Sequence, residues 1–214
     1  MLHTIFDQQI YIKENINLDT FEKYRKMFTS QLVNLSEHVN TAYKNSTRIQ
    51  KRGEVKTTSV GYFDAFDYSE VYMPLSRVSG YKLLEKLLEP SIIEARNLIY
   101  KDAQYNKFLL KRSWNNINYK HSYVVSHMHD KSEHGEKLLN CIFYLEAPYN
   151  SGKLAIINDK TKDLSCLEFD QDKVHYITVQ PNMLICHTGD VNHAVSEHLS
   201  DDRRICVIFE YILE

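Results

Sequence analysis

No C-x-x-C pair occurs in these 214 residues, and the four cysteines, Cys141, Cys166, Cys186 and Cys206, stand far apart. That excludes the disulfide framework of a small secreted domain. Three of the four lie in apolar, strand-like runs where a free thiol serves as a small core residue, so the expectation is a reduced, cytosolic protein. No apolar run approaches the ~18 residues of a membrane span. The N-terminal MLHTIFDQQIYIKEN is interrupted by charged and amide residues throughout, unlike a signal peptide, and no membrane partner is expected. The net charge is only −2, and the compact basic runs are KYRK and KRGEVK; nothing in that balance calls for a nucleic acid. Internal repeats and low-complexity tracts are also missing.

What is present is an ordinary globular composition. With 43% hydrophobic and 25% charged residues the chain can bury one sizeable core, which excludes large-scale disorder. Its length suits a single domain, residues 1–214. Two parts are expected within it: a helical support layer with a first strand over residues 1–105, and a β core over residues 106–214.

Alternation in HTIFDQQIYI predicts that first strand, at residues 3–12. Asp19, with Glu22 three residues on, then forms a capping box for a helix whose apolar stripe is Phe21, Tyr24, Phe28, Leu32, Leu35 and Val39; Asn17 is the alternative cap. Residues 45–60 read as an exposed loop or ragged hairpin, and the aromatic, acidic GYFDAFDYSEVYMP as a further loop. A second helical region spans Leu75 to Lys101, split or kinked at Pro90. Eight short segments rich in β-branched and aromatic residues follow, from KFLLKRSWNNI to RRICVIFEYI. They predict a fold that is mainly β, a sandwich or jelly roll backed by the N-terminal helices.

One stretch carries chemistry. In SYVVSHMHDKSEH the residues Tyr123, Val125, His127 and His129 alternate onto one face of a strand, so two imidazoles project side by side. A third, His193, follows the apolar NMLIC by a short loop. Two ligands from one strand and one from a distant strand, with positions left open, is the arrangement of a catalytic metal site.

The segment from SWNNINYKHSYVVSHMHD to GKLAIIND, followed by QPNMLICHTGDVNHAV and RRICVIFEY, resembles the core of the Fe(II)- and 2-oxoglutarate-dependent oxygenases, particularly the prolyl-hydroxylase-like branch. It is also similar to bacterial and phage oxygenases with a tryptophan-bearing strand before an H-x-H. The resemblance covers about Trp114 to Tyr211 and implies a double-stranded β-helix, Fe(II), 2-oxoglutarate and O2. It further implies a dioxygenase that hydroxylates a small-molecule or peptide substrate and releases succinate and CO2. The oligomeric state is left open.

Carried over by position, the resemblance assigns His127, His129 and His193 to the metal, His129 standing where the family has Asp or Glu. Asp130 is the alternative ligand if the strand bulges. Arg204, with Arg203 as competitor, and Tyr144 are assigned to the far carboxylate of 2-oxoglutarate. Tyr123 and Asn140 are further pocket candidates, and Asn115 and Asn116 resemble cleft-lining residues. His121, His134, His175, His187 and His198 are expected at the surface or behind the ligands. A cupin-like metal protein is the second reading: HMHDKSE fits H-x-H-x-x-x-E, with Glu133 as carboxylate and His193 or His187 as third imidazole. It lacks the usual flanking glycines, since Asn182 and Met183 stand at the expected turn. A jelly roll that binds a partner without catalysis is the third.

Overall fold

The computed structural model describes residues 1–43, 60–63, 75–101, 108–129, 137–158 and 171–213. Eleven strands among them form two antiparallel sheets. The larger has the order β1 (Leu2–Ile5), β2 (Gln8–Lys13), β9 (Leu184–Thr188), β6 (Lys137–Glu146), β11 (Arg204–Leu213), β4 (Phe108–Asn118) and β3 (Val60–Phe63). The smaller has the order β5 (Val124–His127), β10 (His193–Val195), β7 (Leu154–Ile157) and β8 (Val174–Ile177). This is the jelly roll expected from the sequence.

Strand alternation sorts the large sheet into two apolar layers. Leu139, Cys141 and Phe143 on β6, Leu184 and Cys186 on β9, and Ile205, Val207 and Phe209 on β11 face the helices. Ile142 and Tyr144, Ile185, and Cys206 and Ile208 point the other way, toward Leu154 and Ile156 of the small sheet. The candidate functional site lies in this second layer.

Among the described residues two helices close the outer face. Helix α1 (Asp19–Tyr43) buries Phe21, Phe28 and Leu32, as the predicted stripe requires. Helix α2 (Tyr81–Ile99) buries Tyr81, Leu84, Leu88, Ile92 and Ala95, which recur at three- and four-residue spacing. Each such fully buried Leu, Ile or Phe contributes about 1.5–3 kcal/mol relative to exposure.

Several expectations change. The predicted first strand is a hairpin, because Phe6 and Asp7 take φ values of 50° and 64° and turn the chain between β1 and β2. β2 then pairs with β9, so the N-terminal part contributes strands to the main sheet as well as a helical layer. The capping box does not form: Asn17 Oδ1 accepts from the Asp19 N–H at 2.9 Å, while Glu22 pairs with Arg25. Pro90 does not split its helix, which runs unbroken over Tyr81–Ile99; Pro90 lies on its exposed side. Most of residues 45–60, most of GYFDAFDYSEVYMP and the predicted strand LSCLEF lie outside the described residues. Within the second of these, β3 pairs with β4.

Candidate functional site

Strand β10 is only three residues long, but it sits between β5 and β7 and sets the register of the site. His193 pairs with His127 on β5, and Val195 pairs with Val124. Three residues of β10 thus oppose four of β5, a bulge that turns both Val124 and His127 toward the cavity between the sheets. β5 ends at His127. Two residues on, the His129 backbone N–H donates to Gly189 O at 2.9 Å, and the Gly189 N–H donates to Leu138 O at 3.0 Å. A Cβ at Gly189 would lie 2.9 Å from Leu138 Cβ, so this close approach of backbone to β6 requires glycine.

Three imidazoles meet as a result. Ring centroids are 4.3 Å apart for His127 and His193, 5.1 Å for His127 and His129, and 5.2 Å for His129 and His193. The orientation of each ring is fixed through Nδ1. His127 Nδ1 lies 2.9 Å from Val125 O, His193 Nδ1 3.0 Å from Val191 O, and His129 Nδ1 3.0 Å from Glu210 Oε2. Carbonyl and carboxylate oxygens only accept, so all three Nδ1 atoms donate, which leaves Nε2 of each ring as the nitrogen available to a metal. Burial lowers the His127 pKa to about 4, helped by neighbouring His129; burial and the surrounding imidazoles hold His193 well below the usual range. These two rings are neutral at pH 7.

The donor set fits the iron that the family implies. One nitrogen from each of His127, His129 and His193 lies within 4.8 Å of the others, and imidazole nitrogen is a suitable ligand for Fe(II). The predicted alternatives Asp130 and Glu133 lie outside the described residues, as does His134.

The cavity that holds these rings has about 430 Å³ of empty space, counting its mouth. At one end Trp114 stacks on His129, centroids 5.5 Å apart at 19°. At the other, Arg204 is buried and its guanidinium lies 4.9 Å from the Tyr144 ring centroid. Arg204 Nη1 donates to Asn118 Oδ1 at 2.8 Å, while Arg204 Nε and the Tyr144 hydroxyl are buried without a partner among the described residues. Burial raises the Tyr144 pKa, more than the Arg204 charge lowers it, so the hydroxyl keeps its proton. Arg203 points away and pairs with Glu146 at 2.8 Å.

Other predicted residues separate. Asn140 lines the cavity, and neither side-chain polar atom has a partner among the described residues. Asn116 lines it too, whereas Asn115 on the opposite face of β4 donates to Ser36 Oγ at 2.9 Å, toward α1. Tyr123 does not line the cavity, because the β5 bulge breaks the alternation that placed it on the ligand face. His121 is exposed and pairs with Glu197, and His175 is exposed. His198 is buried away from the cavity, where Nδ1 accepts from the Gly152 N–H and Nε2 donates to Asp202 O.

His187, expected at the surface or behind the ligands, is fully buried in the cavity wall with its ring 4.7 Å from His193. Its Nδ1 donates to Thr188 O at 2.7 Å, and its Nε2 has no partner among the described residues. Burial lowers its pKa to about 4. Alternation in NMLICHTG carries the signal, since His187 falls on the Met183 and Ile185 face. Glu210 was also missed. It lies six residues along β11 from Arg204, on the same strand face, and so follows from the alternation that joins Arg204 to Cys206 and Ile208.

Residues 112–210 match the model of a family described as "Putative 2OG-Fe(II) oxygenase". This β core, just under half of the chain, is similar to the 2OG-Fe(II) oxygenases. In sequence, the chain matches no curated protein. Its structure is similar to the non-heme alpha ketoglutarate dependent carbocyclase SnoK from nogalamycin biosynthesis, with a TM-score of 0.59 and 13% identity over 96% of this chain and 79% of that one. It is likewise similar to the viral collagen prolyl hydroxylase of Paramecium Bursaria Chlorella virus-1, with a TM-score of 0.56 and 11% identity over 94% of this chain and 95% of that one. Against a 2OG-Fe(II) oxygenase family oxidoreductase from Burkholderia pseudomallei, 66% of this chain covers 58% of the other, with a TM-score of 0.48 and 12% identity. The likeness to the carbocyclase and the viral hydroxylase extends in fold beyond the matched core to the N-terminal strands and helices. Among the described residues no helix is long and apolar enough to cross a membrane.

Proposed function

We propose that the chain is a non-haem Fe(II)- and 2-oxoglutarate-dependent dioxygenase that hydroxylates a peptide or small-molecule substrate and releases succinate and CO2. The observation that carries this reading is one cavity with three imidazole Nε2 atoms at one end and a buried Arg204–Tyr144 pair at the other.

His127, His129 and His193 would hold Fe(II). The bound iron supplies the activation of O2. Everything else is positioning by the chain. Arg204 engages the far carboxylate of 2-oxoglutarate with its free Nε–H, and the protonated Tyr144 hydroxyl adds a second donor. Both groups are buried and unpaired toward the cavity, so an anion that joins them relieves two unmet hydrogen-bonding demands. Ile142, Leu154, Val195 and Ile208 line the same space and exclude water from it. Asn116, Asn140 and His187 are the polar groups of the lining left to contact substrate or cosubstrate, the last two being register partners on β6 and β9. The free, buried Cys141, Cys186 and Cys206 fit a reducing cytoplasmic setting.

The substrate class stays broad because two of the relatives named above are a collagen prolyl hydroxylase and a carbocyclase, on the same fold. Anaerobic calorimetry followed by aeration tests the proposal. Fe(II) should bind one per chain, 2-oxoglutarate should bind one per iron, and O2 should then yield one succinate per 2-oxoglutarate consumed. A protein that binds Fe(II) but not 2-oxoglutarate would favour the cupin-like reading instead.

A further inference from the structure

Three imidazole ligands give a divalent cation three nitrogen donors and no negative charge. Burying such a centre is costly unless a compensating anion lies close by. One does. Glu210 is fully buried, and its Oε2 accepts from His129 Nδ1 at 3.0 Å. His127 and His193 donate to neutral backbone carbonyls, so His129 alone among the three has an ionised partner.

The surroundings hold this contact in place. Glu210 pairs in register with Arg112 on one side and with Asn140 on the other. Arg112 Nε lies 2.8 Å from Oε1, and Nη2 donates to Oε2 at 2.9 Å. The same guanidinium lies 5.3 Å from the Trp114 ring centroid, and Trp114 stacks on His129. His129 is thus held along one edge by a carboxylate and on one face by an indole, with Arg112 behind both.

We propose that Glu210 is a positioning residue of the metal centre: it fixes the His129 ring with Nε2 toward the ion and supplies, from behind the imidazole, the negative charge that an all-histidine ligand set lacks. This inference rests on the metal-centre reading above. It moves the carboxylate of an H-x-D/E site one residue outward, from the ligand position to the partner of the histidine that replaced it. A plain cross-strand ion pair between Arg112 and Glu210 is the competing explanation. That pair alone gives no reason for a carboxylate to be fully buried, since Arg112 remains 46% exposed at its side chain.

The full chain without metal, titrated with Mn2+ by calorimetry, separates the two explanations. Glu210→Gln keeps the acceptor and the shape but removes the charge, and should weaken Mn2+ binding about 10- to 100-fold. Arg112→Gln breaks the ion pair but leaves the Glu210–His129 contact, and should change Mn2+ affinity by less than about threefold even if it melts earlier. The Arg112→Gln, Glu210→Gln double variant leaves no buried charge uncompensated; should Glu210→Gln alone not fold, the same 10- to 100-fold loss is expected from the double variant. Wild-type affinity in the Glu210→Gln or double variant, or equal losses from Glu210→Gln and Arg112→Gln, would overturn the inference. Wild-type protein that binds no Mn2+ would overturn the metal centre itself, and this inference with it.

Discussion

His127 and His193 are register partners on β5 and β10, and their rings approach to 4.3 Å between centroids. A strand of three residues therefore decides whether the third imidazole reaches the first two. His193→Ala and His127→Ala should each abolish saturable Mn2+ binding. His121→Ala, at an exposed ring paired with Glu197, should leave it unchanged. Calorimetric titration of the three variants checks this.

Arg204 and Arg203 are adjacent in sequence but differ in environment, one buried in the cavity and the other paired with Glu146. Removing a charge-assisted contact to a buried carboxylate costs about 1.5–3 kcal/mol. Arg204→Gln should therefore weaken 2-oxoglutarate binding to the Mn2+-loaded protein by roughly 10- to 100-fold and leave Mn2+ affinity as it was. Arg203→Gln should shift neither by more than about twofold.

The buried histidines predict acid sensitivity of the metal-free protein. His127 and His187 titrate at about 4 in the fold, below the ordinary histidine value of 6.5, and His193 is lowered too. Between those values the unfolded chain binds more protons than the native one, so stability rises with pH across the window. It is fully present above about pH 6.5 and is lost as pH falls toward 4, by about 1.4 kcal/mol per pH unit for each such imidazole. Thermal melts of the metal-free protein should fall steeply from pH 7 to pH 5. In the His187→Gln variant the slope should be shallower.

Gly189 joins the turn after β9 to both β6 and His129. Alanine there meets Leu138 Cβ at 2.9 Å, a backbone-proximal clash that cannot be relieved by rotating a side chain. Gly189→Ala should lower stability by about 1–3 kcal/mol. Because His129 is anchored to Gly189 O, Mn2+ affinity should fall with it. Denaturant unfolding and the same calorimetric titration measure the two effects.

Much of this was legible in the residues because local periodicity and tertiary burial agree. The stripe of α1, the alternation of β4, β6, β9 and β11, and the three-histidine set with Arg204 all follow from spacing and resemblance. What was misread depended on features without a periodic signal. The turn at Phe6–Asp7 lacks glycine, and the β5 bulge that displaces Tyr123 leaves no mark on composition. His193 reads as a loop residue because a three-residue strand is too short for alternation to register. His187 and Glu210 were within reach: each lies on a strand face already assigned to the core, and only the habit of sending polar residues to the surface hid them.

Diffraction from crystals grown with Mn2+ and 2-oxoglutarate, with anomalous data at the manganese edge, tests the central claim most directly. The expected result is one manganese bound by Nε2 of His127, His129 and His193, with the far carboxylate of 2-oxoglutarate on Arg204 and Tyr144. Manganese bound by Asp130 or Glu133 in place of His129, or a cavity whose Arg204 end holds no 2-oxoglutarate, would contradict it.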